Sequence, residues 1–562
     1  MTARRAVLAL LAAVALALEP ARAQPANEAL PADAPLPARA PLPANAPLPG
    51  FAALEAAGAR IGTIRIRALE IFDTSDPAES NAIFRAANAL HISTRPWLIE
   101  GALLFRTGDP VSVKRIEETE RVLRATRSLF EVSIRPVAVT DGVVDVEVTT
   151  RDTWTLDPGF SATRSGGASS TSYALRESNL FGTGVGVSFG RYSNVDRSGN
   201  EFSIGGERLL GSTLSAGYTQ ASNSDGRRVA ARLLRPFHEL DARWAAGVTV
   251  SLDDRVDPVY QAGEVVARYR RQEDRVEAFG GRSEGLVNGW VRRWSAGVSM
   301  LRDGWAVEPG YVPPAVLPED ETLISPFLRL EVIEDRFVTT RNLNQMGRPE
   351  FLAMGLQSSL RIGWASQAFG STRDALLYAA SVSRGFEPAP RQTLLASAKL
   401  EGRFADGAIE RQRLGGQLQY FVPHDRRWLF YVGLSADLLT NPGPLDVLML
   451  GGDNGMRGYP LRYQSGTQRA LLTVEERYFT DLYLFRLFRV GAAGFVDVGR
   501  AWGGANAGPE SERWLADAGL GLRIFSVRAA FSNVLHVDLA FPLDADTGVK
   551  RVQFLVRTRT SF

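Results

Sequence analysis

The residues best placed to do chemistry lie between Leu448 and Tyr463, in the stretch LMLGGDNGMRGYPLRY. Gly451, Gly452 and Gly455 permit positive φ, Gly458 lets the backbone approach closely, and Pro460 fixes the exit direction. Such a segment folds sharply and holds Arg457 at a defined place. A guanidinium held in that way seeks a carboxylate in fork geometry. A glycine-rich loop carrying an exposed arginine is the plain alternative.

Other chemistries are thinly represented. There is no Cys, which excludes disulfides, thiolate zinc sites and cysteine nucleophiles. The four His, at 91, 238, 424 and 536, have no metal-ligand spacing. Gly182 to Gly186 (GTGVG) lacks the dinucleotide-loop spacing and reads as a turn. Asp253-Asp254 and Glu319-Asp320-Glu321 read as solvated loops rather than Ca²⁺ ligands. The N-terminal region is short for a lipase-type domain, and the chain is read as carrying no G-x-S-x-G elbow. The expectation is a protein without enzymatic activity, metal or cofactor. The 64 basic and 62 acidic residues nearly balance, which gives no footprint for nucleic acid.

The elements that must position Arg457 emerge from the chain in order. Arg4 and Arg5 precede an apolar run from Ala6 to Leu18, and Ala21-Arg22-Ala23 offers a cleavage site, so 1–23 reads as an export signal. Residues 24–60 read as a Pro/Ala-rich linker, with APLP recurring at Ala34, Ala40 and Ala46.

Residues 61–151 carry the pattern β-α-α-β-β. Thr63 to Phe72 forms a strand, Trp97 to Phe105 a short helix, and Ser112 caps a second helix. On that helix Ile116, Thr119, Leu123 and Thr126 share a face, while Glu117/Arg121 and Glu120/Arg124 stand at i,i+4. Phe130 to Val139 and Val143 to Thr149 pair around the Asp141-Gly142 turn. The module is small and without a catalytic cluster, which suits docking of an extended partner at a sheet edge.

Residues 152–562 show recurrent alternation and no convincing helix. In the last segment Val552, Phe554, Val556, Thr558, Thr560 and Phe562 form one face, and Arg551, Gln553, Arg557, Arg559 and Ser561 the other. An apolar face opposite a charged one fits a membrane wall around a wet lumen, and equally a soluble sandwich. Export, scattered Trp and Tyr near segment ends, and the aromatic last residue favour the barrel. At ~9–11 residues per strand with turns and long loops, the length allows about 16 antiparallel strands. Alternation points Asp497 and Glu475 into the lumen, where they are candidate partners for Arg457; they equally well balance Arg477 and Arg489. The first strand falls in Leu156 to Arg164, where Pro158 and Gly159 weaken ladder bonding. A weak seam is therefore expected between this strand and the last, with Phe160 and Ala162 on one side and Phe554, Val556 and Phe562 on the other.

Several of these residues carry a family resemblance. MRGYP at 456–460 resembles the (V/I)RG(F/Y) loop motif of the BamA/TamA-like superfamily of outer-membrane assembly and translocation proteins. GFVDVGRAW at 494–502 resembles that family's aromatic-x-Asp-x-Gly strand, SNLFGTG at 178–184 its early periplasmic turn, and Phe562 its C-terminal signal. The 61–151 order resembles a single polypeptide-transport-associated (POTRA) domain. Met456 departs from the motif's Val or Ile, and one POTRA is fewer than the central family members carry.

The resemblance implies a mainly β fold: a 16-stranded outer-membrane barrel with a periplasmic POTRA-like domain. It also implies that Arg457, Gly458 and Tyr459 fold into the lumen and that Arg457 pairs the acidic strand residue. The expected activity is insertion or translocation of polypeptides. Expected partners are extended polypeptide clients, outer-membrane lipids and accessory subunits. A passive porin-like channel or a structural surface antigen is the alternative.

Overall fold

In the computed structural model, residues 48–126, 128–347, 349–505, 507–527, 534–544 and 548–559 are described. The expected leader, most of the linker and Phe562 lie outside the described residues. The chain divides into two compact units. One comprises 48–65, Phe105–Val113 and Arg135–Glu147; the other comprises Ile66–Leu104, Lys114–Ile134 and the chain from Val148 onward.

The smaller unit holds a helix, Phe51–Ala56, that falls inside the stretch expected to be linker. Its chain is tied by Ile61 N donating to Asp109 O (2.8 Å) and Val111 N donating to Ala59 O (2.9 Å). Ile61, Val111, Val144 and Val146 are buried there.

In the N-terminal region the strands Arg60–Leu69, Leu129–Thr140 and Val143–Asp152 form a sheet with Val143–Asp152 in the centre. The helical content differs from the expectation. Ala82–Leu90 is an additional helix, capped by the Asn81 side chain accepting from Phe84 N at 3.0 Å. The expected helix at Trp97 to Phe105 is cut to Pro96–Glu100, because Gly101 follows it at once.

The rest of the larger unit is a closed antiparallel barrel. Among the described residues it has twenty strands rather than about sixteen. The surplus comes from the beginning: six strands of 8–10 residues fit between Leu156 and Arg235, joined by short turns. Uniform division by strand plus long loop overestimates the chain each crossing uses. GTGVG belongs to one of those turns, with Gly182 and Gly184 at φ +75° and +74°. Gly186 to Gly190 reads GVSFG, but it lies within the strand Gly186–Ser193, and the Ser188 hydroxyl bonds that of Ser203 at 2.7 Å, so it is no nucleophile elbow.

Alternation decides what faces where. On the Leu515–Ser526 strand Leu515, Asp517, Gly521, Arg523 and Phe525 are buried, while Leu520 is 69% and Leu522 51% exposed. Phe160, Tyr173, Leu328 and Phe541 join the outer apolar face. No helix among the described residues is long and apolar enough to cross a membrane.

Asp253 and Asp254 lie in the strand Trp244–Gln261, not in a loop, and pair with Arg255 and Arg270 at 2.8 Å each. Glu321 opens the strand Glu321–Glu334 and receives Arg403 at 2.5 Å. Among the described residues, no group of acidic residues and His stands ready for a metal ion.

Candidate functional site

Arg457 sits on the connection between the strands Trp428–Thr440 and Gln468–Leu484. That connection is closed at its base by a two-stranded ladder, Leu448–Leu450 against Gln464–Gly466. Beyond the base the loop is buried: Leu450, Met456, Tyr459 and Tyr463 pack with Ala501 and Leu515. The glycines act differently from the expectation. Only Gly455 takes a positive φ, +144°; a Cβ on Gly451 or Gly452 would instead strike loop backbone at 2.4 Å. The tight positive-φ bend falls on Arg462, at +50°. Gly458 is required for approach to the wall, since a Cβ there would lie 2.7 Å from Asp517 Cβ and 3.0 Å from Pro542 N. Gly499 plays the matching part on the wall, leaving room for Met456 Sδ, 3.1 Å from where a Cβ would stand.

The buried Arg457 guanidinium forks onto Asp497. Nε donates to Oδ2 at 2.6 Å and Nη2 to Oδ1 at 2.9 Å. Nη1 donates to Glu475 Oε1 at 2.9 Å, and the guanidinium carbon lies 3.4 Å from the Phe495 ring centroid. Asp497 also accepts from Thr473 Oγ1 at 2.8 Å. The next residues are fixed as well: Gly458 N donates to Asp517 Oδ2 at 2.9 Å, and Tyr459 OH to Ala516 O and Asp544 O at 3.2 and 3.0 Å. Ion pairs this dry are held by geometry and by every remaining donor finding a partner.

Both alternatives read for Glu475 hold together. Its second oxygen accepts from Arg477 Nε at 2.9 Å, and Arg477 Nη1 donates to Leu343 O at 2.9 Å. Leu343 belongs to the connection that follows the tenth barrel strand, whereas the Arg457 loop follows the fifteenth, so the two enter from opposite ends of the barrel. Glu475 thus joins them. Leu343 and Met346 bury against Phe421, Leu429, Phe479 and Phe525, and Glu350 accepts from the backbone N of Leu343, Asn344 and Gln345. Arg489 takes no part; it lies over Tyr483, 5.0 Å from the ring centroid.

The seam joins Leu156–Ser165 to Gln553–Arg559 through a single registered pair among the described residues, Val556 opposite Arg164. The neighbouring pairings run the length of each strand. Phe160, Ala162 and Phe554 face outward, Val556 is half-buried, and Gln553, Leu555 and Arg557 face inward. The Phe160 ring contacts Tyr173 on the second strand at 5.2 Å rather than crossing the seam.

Sequence reasoning missed what spans that gap. The Gly452 carbonyl of the Arg457 loop accepts from Ser165 Oγ of the first strand at 2.5 Å and from Arg557 Nη1 of the last at 3.0 Å. Arg462 adds a second anchor, its Nη1 and Nη2 forking onto Asp196 at 3.0 and 2.8 Å while Tyr260 OH bonds the same carboxylate at 2.7 Å. The only sequence signal for these contacts is the inward parity of Arg557. Gly452 O is a backbone atom, and no residue type marks it.

No protein-family model matches the chain, and no curated protein matches it. Three solved structures are similar to it. BamA from Haemophilus ducreyi lacking POTRA domains 1–3 is 14% identical over 88% of this chain and 84% of that one, with a TM-score of 0.40. CdiB from Acinetobacter baumannii is 13% identical over 89% and 73%, with a TM-score of 0.43. CdiB from Escherichia coli is 14% identical over 90% and 77%, with a TM-score of 0.46.

Proposed function

We propose that this chain is an outer-membrane protein that inserts or translocates polypeptides, and that its barrel opens at the seam under control of the Arg457 loop. The observation that carries the reading is the bridge made by one loop carbonyl, Gly452 O, between first and last strands that share a single registered pair among the described residues. The ion pairs of Arg457 with Asp497 and Glu475 act as a latch. While it is shut, the loop staples the seam; when it is released, a single registered pair among the described residues is left to resist lateral opening.

The N-terminal sheet supplies capture. Its edge strands are Arg60–Leu69, whose start is taken up by 108–111, and Leu129–Thr140; the remaining edge would offer main-chain groups to an extended client in the manner of a POTRA domain. On this reading the sheet lies in the periplasm and the outer apolar face of the barrel meets lipid. Accessory subunits would dock on the same module. A passive channel has no use for a loop pinned by buried charges, nor for its link through Glu475 to the opposite connection.

Depletion of the protein, scored by quantitative outer-membrane and secreted proteomics, tests the reading. Loss of a defined set of clients is expected. An unchanged proteome, with steady ion conductance from the purified protein, would leave the passive channel instead.

A further inference from the structure

Beside the base of the Arg457 loop, where Arg469 Nη1 donates to Met449 O at 3.2 Å, the lumen holds an open cavity of about 830 Å³ against the wall from Glu321–Glu334 round to Gln468–Leu484. Its charges are arranged unusually. Arg329 and Arg361 stand directly opposite each other on neighbouring strands, a placement in which like charges repel. Both donate to one carboxylate, Glu277, at 2.9 and 2.8 Å. Arg413 and Arg469 repeat the device on Asp437, at 3.1 and 2.5 Å. Each carboxylate therefore neutralises one guanidinium of two.

Between the two arginine pairs stands Lys399, cross-strand from Ser381 on one side and Gly415 on the other. It makes no ion pair among the described residues. Glu401 is the one further carboxylate on the cavity wall, so five cations face three carboxylates. Ser359, Ser381, Ser397 and Ser435 line the same space, and among the described residues no hydrogen bond engages their hydroxyls. These small side chains create the volume and leave donors directed into it.

We propose that this cavity binds a small multivalent oxyanion of the phosphate class, centred on Lys399. Guanidinium forks match the geometry of phosphate oxygens, an ammonium supplies a central point charge, and serine hydroxyls complete the shell. Surplus positive charge in a recess walled by protein attracts polyvalent anions more strongly than chloride. The strands separate the cavity from the outer face, so the phosphate arrives free in solution rather than on a bilayer lipid.

The test is isothermal titration of the full-length protein in detergent with inorganic pyrophosphate, and separately with dihexanoyl phosphatidic acid. Saturable one-to-one binding of pyrophosphate is expected, weakened by about tenfold or more in Lys399→Gln and by under about threefold in Lys399→Arg. Lys399 is exposed to the lumen and neither change alters the barrel ladder, so folding should be retained. Absence of saturable binding up to about 10 mM, or equal affinity in Lys399→Gln, overturns the proposal. So does binding of the lipid alone that pyrophosphate fails to displace.

Discussion

Two walls of one barrel are built on different principles. The three strands Trp244–Gln261, Glu264–Val287 and Trp290–Val307 are 18, 24 and 18 residues long. A tilted membrane crossing takes about 9–11 residues; on the proposed outer-membrane reading these strands run well past a bilayer, and they pair along nearly their whole length. Beyond the crossing their rims carry ion pairs, among them Arg255 with Asp253 and Asp257, and Arg271 with Asp303. The first six strands have 8–10 residues, about one such crossing each, and the first of them meets the last strand at a seam with one registered pair among the described residues. Backbone ladder holds the long wall. At the seam, side chains and a loop carbonyl take over that work, and such contacts can be released one at a time.

The largest expected effect comes from fixing the seam. Because the chain has no Cys, the double variant Arg164→Cys with Val556→Cys introduces a lone disulfide pair across it. Oxidation should reduce client assembly to the level of depleted cells, and reductant should restore it. The control pair Val229→Cys with Leu252→Cys, where the sixth strand pairs with the first strand of the long wall, should be silent. Full activity of the oxidised seam variant would show that opening there is unnecessary.

Next in size is the latch. Arg457→Ala leaves buried Asp497 and Glu475 without their cation, at a local cost of about 3–5 kcal/mol. The barrel should still assemble, as heat-modifiable migration would report, while the 451–463 loop becomes protease-sensitive and activity falls. Asp497→Ala should look alike, and the double variant should be little worse than either, so that the coupling is nearly as large as one single effect, about 3 kcal/mol. Strictly additive effects on loop proteolysis would separate the two residues and remove the latch.

Arg477→Ala sharpens the comparison from the other end. It removes the bonds to Glu475 and Leu343 O, a loss of about 1.5–3 kcal/mol. Limited proteolysis should increase within 335–356 more than within 451–463. Equal protection of 335–356 in the variant would mean that its apolar packing alone holds it. The smallest effect belongs to Arg462→Ala, whose pair with Asp196 is partly solvated and contributes about 0.5–1 kcal/mol. The difference from the parent protein, measured by loop proteolysis, should fade in high salt.

Much of this architecture is legible in the chain because β-alternation is local. The period of two assigned Asp497, Glu475 and Arg557 to the interior, and Phe554 to the outer face, from neighbours alone. The glycine-rich stretch around Arg457 likewise announced a sharp loop, because glycine and proline restrict or free φ residue by residue. Strand number was not legible. Closure fixes how many crossings fit, and the tightness of the early turns is a property of the closed sheet.

Partner choice also belonged to the tertiary structure. Alternation offered Arg457 two carboxylates and offered Glu475 three arginines. The closed barrel brings Arg457, Arg477, Asp497 and Glu475 together and leaves Arg489 over Tyr483. The seam shows the limit most sharply. Pro158 and Gly159 mark a weak first strand, but the carbonyl of Gly452 that bridges it has no side chain to announce it. A backbone oxygen is the same at every position in a sequence, and only the fold decides which one stands between two strand ends.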